Sequence, residues 1–238
     1  MDISWWSWIK TRYLKKDTEG LLMAAQDQAL PTRNYKVNIM KEGGTVKCRM
    51  CGERDETIMH ILSECSKLAQ TEYKKRHDKV ATLLHWELCK RLGFHQSEKW
   101  YDHKPEPVLE NEESKLLWDF NIRTDKVIEA RRPDIVLIEK KKRVVSVVDV
   151  AIPGDFRVVD KETEKVIKYQ NLALELNRMW QCKTRVIPIV VGVLGTKSKL
   201  SEWLSMLEIQ EERRHGLVQQ VALLGSAHIL RKILSIPV

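Results

Sequence analysis

Three cysteines and one histidine, in the order Cys48-x2-Cys51-x8-His60-x4-Cys65, limit what this chain can fold into more than any other feature. The remaining cysteines, Cys89 and Cys182, lie far from the group. An odd cysteine total with a tight cluster points to metal binding in a reducing compartment rather than to a disulfide framework. Structural zinc takes four thiolate or imidazole ligands tetrahedrally. The Cys-x2-Cys pair brackets a turn, and His60 and Cys65 fall about one helical turn apart on "TIMHILSEC". A stretch of about twenty residues has no room for a core of its own, so the metal is expected to hold it folded. With four ligands present the zinc is expected to be structural, and His77 is a rival for the fourth position.

A chain of 238 residues has room for one large domain or two small ones. Hydrophobic content of 43% and charged content of 31% describe a globular protein, not a disordered one. No apolar run reaches the ~18 residues of a membrane span, so no membrane partner is expected. The aromatic and basic start, "MDISWWSWIKTRYLKK", lacks the apolar centre of a secretory signal, and a nuclear or cytoplasmic location is expected. A net charge of +8 and a pI of about 9.2 favour polyanionic partners.

Residues 1–30 have helical spacing, ended by Pro31, and "KEGGTVK" is a turn that marks a boundary. Residues 66–94 read as helical, with Leu68, Tyr73, Val80, Leu83, Leu84 and Leu88 apolar. The polar, proline-containing stretch 95–113 reads as a linker. Beyond it, "KLLWDFNI", "RTDKVIEARRPDIVLIEK" and "RVVSVVDVAI" read as strands, with a basic turn at 140–143. A helix over 161–181, a buried strand "TRVIPIVVGVLG" and two closing helices follow, which is an α/β order. The expected division is a helical segment 1–45, a zinc knuckle 46–66, a helical connector and linker 67–110, and an α/β domain 111–238.

Asp134 and Asp149 stand at the mouth of one strand and near the end of the next. An aspartate inside "VVSVVDVAI" is costly to bury unless it is paired, so Asp149 is expected to have a partner. Two carboxylates on neighbouring strands can converge on Mg²⁺ or Mn²⁺, which prefer oxygen ligands and activate water for phosphodiester hydrolysis. A lysine is expected nearby to stabilise developing charge. The position two residues after Asp149 is Ala151, so the candidates are Lys165 and Lys168, with Tyr169 on the same helix face as Lys165. Arg131 and Arg132 adjoin Asp134 and are candidates for phosphate contact. Two plainer readings stand beside this one. Trp5, Trp6 and Trp8 could anchor a protein partner, though core packing of an amphipathic helix explains them better. Cys182 could be a reactive thiol, though a lone cysteine is usually inert packing.

The knuckle followed by "RRPD", "VVDV" and "KVIKY" resembles the C-terminal region of site-specific non-LTR retrotransposon polyproteins. Those carry a restriction-like endonuclease of the PD-(D/E)XK class behind a reverse transcriptase. The family's pattern is a basic residue, Pro-Asp, an acid a dozen or more residues on, then a displaced lysine with a nearby tyrosine. Arg132, Pro133, Asp134, Asp149, Lys165 or Lys168, and Tyr169 match it in order. "TEGLLMAAQDQALPTRNY" looks like the segment between polymerase thumb and knuckle, so the resemblance spans nearly the whole chain. It implies a PD-(D/E)XK core preceded by a zinc knuckle and helical segments, nicking target DNA with Mg²⁺ or Mn²⁺. DNA, the element's RNA and a reverse transcriptase from an intact copy are the implied partners. No Tyr-x-Asp-Asp motif is present, so the chain is expected to be a fragment without the polymerase. The alternative is a catalytically inactive nucleic-acid-binding protein derived from the same element.

Overall fold

Five valines crowd β4 (Val144–Ala151), and their β-branched side chains favour a pleated, buried strand. The computed structural model describes residues 14–209 and 212–235. Trp5, Trp6 and Trp8 lie outside the described residues. β1 (Val108–Glu110), β2 (Ser114–Trp118), β3 (Ile135–Glu139) and β4 form an antiparallel meander in that order. β5 (Lys183–Val190) then pairs parallel to β4, which makes the sheet mixed and five-stranded. Its crossover is α5 (Val158–Trp180). β5 carries Pro188, which lacks an N–H donor and is tolerated because the strand is outermost.

Both faces of the sheet are covered. On one, Leu116, Ile135, Leu137, Val148, Val150, Ile187 and Ile189 meet three helices. These are α4 (Lys74–Leu92), α6 (Leu200–Met206) and α7 (Glu212–Leu234). α4 supplies Val80, Leu84 and Leu88, an i, i+4, i+8 stripe. It ends where Gly93 takes a left-handed φ of 71°, and Phe94 N–H closes the last turn on the Cys89 carbonyl. On the other face, Leu117, Val136, Val145 and Val147 meet Tyr169, Leu172 and Leu176 of α5.

A third cluster holds the N-terminal third. α1 (Lys16–Gln26) brings Leu21, Leu22 and Ala25, and α7 brings Leu223, Ala227, Leu230 and Ile233. Ile58, Ile61 and Leu62 complete it. Among the described residues no helix is long and apolar enough to cross a membrane.

Several elements differ from the expectations. The stretch 95–113, read as a linker, contains β1, which is short and mostly exposed yet pairs with β2 from Val108↔Leu117 to Glu110↔Lys115. α4, in the connector 67–110, shares a core with the sheet. Of "RTDKVIEARRPDIVLIEK" only Ile135–Glu139 is strand, and Val127, one of the apolar residues that suggested it, is 97% exposed. The helix expected over 66–94 is broken: a single turn α3 (Ser66–Leu68) and a π-helical stretch Ala69–Tyr73 precede α4. The basic turn at 140–143 does connect β3 to β4, with Arg143 N–H closing on the Lys140 carbonyl at 3.2 Å.

Arg76 ties α4 to its surroundings. It is 2% exposed, and its guanidinium donates to Ser226 Oγ at 2.9 Å and to the Leu62 carbonyl at 2.8 Å. Gly225 on α7 makes room for it, since a Cβ there would lie 2.5 Å from Arg76 Cγ. Gly225→Ala is therefore expected to cost about 1–3 kcal/mol, the range for overpacking. A denaturant midpoint unchanged from wild type would show that α4 and α7 separate without penalty.

Candidate functional site

The four cysteine-cluster residues come together. Possible ligand atoms of Cys48, Cys51, His60 and Cys65 all lie within 4.8 Å of one another. Cys48 Sγ is 3.9 Å from Cys65 Sγ, and Cys51 Sγ is 3.3 Å from His60 Nε2. Two sulfurs on a tetrahedral zinc with bonds of about 2.3 Å stand about 3.8 Å apart, so the group could hold a zinc ion. The local backbone explains the convergence. Gly52 takes a positive φ of 71° and donates to the Cys48 carbonyl, closing the turn between the first two cysteines. His60–Glu64 is a π-helical turn, and Cys65 N–H reaches back five residues to the His60 carbonyl. Tyr73 pins its end: its hydroxyl accepts from Cys65 N–H at 3.0 Å and lies 2.8 Å from the Ile61 carbonyl. Backbone N–H groups of Arg54 and Glu53 hold the Cys51 thiol down at about 6, near its metal-binding form.

The knuckle is docked, not free-standing. Glu56, fully buried, takes a two-pronged bond from Arg49, Nε to Oε2 at 2.9 Å and Nη2 to Oε1 at 2.8 Å. Arg33 N–H, at the start of α2 (Arg33–Asn38), also donates to Oε1 at 2.9 Å. Arg49 Nη1 reaches the Ile233 carbonyl at the end of α7. The expectation that metal alone holds this segment is therefore corrected, because Ile58, Ile61 and Leu62 share a core with α1 and α7. His77, the rival zinc ligand, lies elsewhere.

The second site is at the open end of the β3–β4 pair. Asp134 sits one step beyond the Ile135–Val148 pair, so the register carries it toward Asp149 on the neighbouring strand. Asp134 Oδ2 accepts from Val150 N–H at 2.7 Å and lies 3.2 Å from His77 Nε2 on α4. Asp149 is 3% exposed. Its Oδ1 accepts from the Tyr169 hydroxyl at 2.7 Å, and its Oδ2 pairs with the Lys165 ammonium. Lys165 and Tyr169 both come from α5, one turn apart, as their spacing predicts. Lys168 is exposed and lies over the Tyr169 ring, 4.6 Å from its centroid, so it does not reach the aspartates.

Charge settles the protonation of this group. Burial disfavours an ionised Asp134, but His77, Val150 N–H and Lys165 outweigh it and hold the carboxyl below its usual range. Burial disfavours protonated His77, but Asp134 and Asp78 outweigh it, and its pKa rises to about 9. Burial and then Asp149 push Tyr169 far above an ordinary phenol, so it stays protonated and donates. A cavity of about 180 Å³ opens beside Asp134, lined by Lys74, His77, Asp78, Ala81, Trp118 and Asp119. Arg132 is exposed and grips Asp119 with two bonds of 2.7 Å, while Arg131 is half-buried.

His77 is the member of this group that the sequence alone assigns elsewhere. Its helix-face neighbours Lys74, Asp78 and Ala81 have readable spacing, but which strand end they meet depends on how α4 packs. No protein-family model and no curated protein matches the chain.

Proposed function

We propose that the chain is a metal-dependent DNA endonuclease, a restriction-like domain with its zinc knuckle from the C-terminal region of a non-LTR retrotransposon protein. The observation that carries the reading is the convergence of two aspartates, a lysine and a protonated tyrosine at one strand end, beside a cavity with a basic lining residue. The chain's surplus of basic residues fits a polyanionic substrate. The donor set is hard oxygen, which suits Mg²⁺ or Mn²⁺, and Asp134 and Asp149 would hold the ion. When bound, such an ion supplies a Lewis acid and lowers the pKa of its water.

The other residues have separate tasks. Tyr169 keeps its proton and fixes the orientation of Asp149 through Oδ1. His77 and Val150 N–H fix Asp134 through Oδ2. Lys165 neutralises Asp149 at rest and offers its ammonium to a phosphoryl oxygen as negative charge builds there. Arg131 and Lys74, near the same strand end, would contact the flanking phosphates.

A second reading keeps the nucleic-acid binding without the chemistry. It is favoured by the pairing of Asp149 within the chain, Oδ1 hydrogen-bonded to the Tyr169 hydroxyl and Oδ2 in an ion pair with Lys165. A plasmid-nicking assay with Mg²⁺ or Mn²⁺ separates the two. Asp134→Ala and Asp149→Ala are expected to slow nicking at least about 100-fold while DNA retention is kept. A double variant that nicks as fast as wild type would end the nuclease reading. A folded, zinc-loaded wild type that retains DNA without nicking it favours the binding protein.

A further inference from the structure

A third group of ligating side chains closes on itself away from both sites. His85 and Cys89 lie one turn apart on α4, and His103 follows the 3₁₀ turn Trp100–Asp102. Their possible ligand atoms lie within 4.8 Å of one another. His85 Nδ1 is 2.8 Å from His103 Nε2 and 3.4 Å from Cys89 Sγ. His85 and Cys89 are wholly buried and His103 is half-buried.

A simple hydrogen bond between the two histidines accounts for part of this geometry and leaves the rest unexplained. It leaves Cys89 Sγ directed at an imidazole nitrogen already committed to His103.

We propose that His85, Cys89 and His103 form a second metal site, for a zinc-class divalent cation, with three protein ligands and one position left open. Imidazole with thiolate is a donor set for zinc or cobalt and a poor one for Mg²⁺. Two nitrogens on such an ion stand about 3.3 Å apart at bond lengths of about 2.0–2.1 Å, so the histidines must part by a few tenths of an ångström. His103 can give that movement, because it sits on an irregular, half-exposed segment. Of the three ligands, His103 also lines a cleft of about 440 Å³, with Thr82, Trp100 and Tyr101. The site staples the polar segment 95–107 to α4, where little besides Trp100 packs it into the core. It stands or falls independently of the nuclease reading.

The test is metal content and cobalt absorption on the whole chain. Cys89→Ser and His103→Ala are each expected to lower bound zinc by about one equivalent relative to wild type, leaving the knuckle's share. With Co²⁺, each is expected to remove a weak sulfur-to-metal band, about a third as intense as that of the three-cysteine knuckle. His103→Ala alters a half-exposed loop residue, so its result does not depend on the core tolerating a change. Either variant retaining wild-type metal content and spectrum overturns the site.

Discussion

With zinc loaded at Cys48, Cys51, His60 and Cys65, which could hold it, stripping the ion is expected to unfasten one end of the protein and leave the sheet standing. Free-standing zinc fingers draw about 10–16 kcal/mol of folding free energy from the metal and are unfolded without it. Here the knuckle's Ile58, Ile61 and Leu62 lie in a cluster with α1 and the C-terminal half of α7. Cys48 and Cys65 are themselves 2% and 1% exposed and part of that cluster. Losing the ion sets buried sulfurs and His60 against one another, and the cost spreads into what packs on them. None of Leu116, Leu137, Val147 and Val148 belongs to that cluster, so β2, β3 and β4 keep their support. Hydrogen exchange should show lost protection over residues 47–65, α1 and the last turns of α7, with β3 and β4 unchanged. The local loss is expected to be roughly 5 kcal/mol, below the free-standing value because Arg49, Glu56 and the shared core persist. Cys51→Ser should reproduce it, and since Cys51 is partly exposed the effect is one of ligation rather than of a cavity. Unchanged zinc content in that variant would remove Cys51 from the ligand set.

How far the sequence reveals this arrangement depends on how local the cause is. The Cys-Cys-His-Cys spacing is legible because ligand chemistry constrains near neighbours, and its four members do meet. Asp149 is legible for a similar reason: a carboxylate in a run of valines must find a partner, and Lys165 and Tyr169 on the next helix supply it. The choice between Lys165 and Lys168 needs the helix phase relative to the strand, which only packing sets. β1 is three residues long with its ends exposed, so it has neither periodicity nor hydrophobicity to betray it. Its pairing with β2 is tertiary.

His77 and His103 illustrate what stays hidden. Both lie in polar stretches whose charge suggests a solvated surface. His77 meets Asp134 across 57 positions of chain, and His103 meets His85 across 18. The π-helical turn at His60–Glu64 also escapes a helical reading. It inserts no unusual residue, yet it sets where Cys65 falls relative to His60.

Replacing Lys165 with methionine is expected to cost about 3 kcal/mol and to make stability depend on Mg²⁺. The two side chains of the pair are only 14% and 5% exposed, so solvent screens it little. Removing one partner of a buried pair leaves an uncompensated charge, which typically costs about 3–5 kcal/mol. The lower end applies because Tyr169 still donates to Asp149 Oδ1. Methionine retains the stem's volume, so packing changes little. On the proposed nuclease reading, a cation held by Asp134 and Asp149 would compete with the Lys165 ammonium in the wild type. In the variant it would meet two carboxylates and no competitor, and would recover stability by roughly 2.7 kcal/mol at a hundred times its Kd. Thermal or denaturant unfolding with and without Mg²⁺ measures this without any turnover. A variant that is destabilised but gains no more from Mg²⁺ than wild type does would make Asp149 and Lys165 a structural ion pair and nothing more. A variant that Mg²⁺ restores would establish a cation site between Asp134 and Asp149 even in a chain that never cuts DNA.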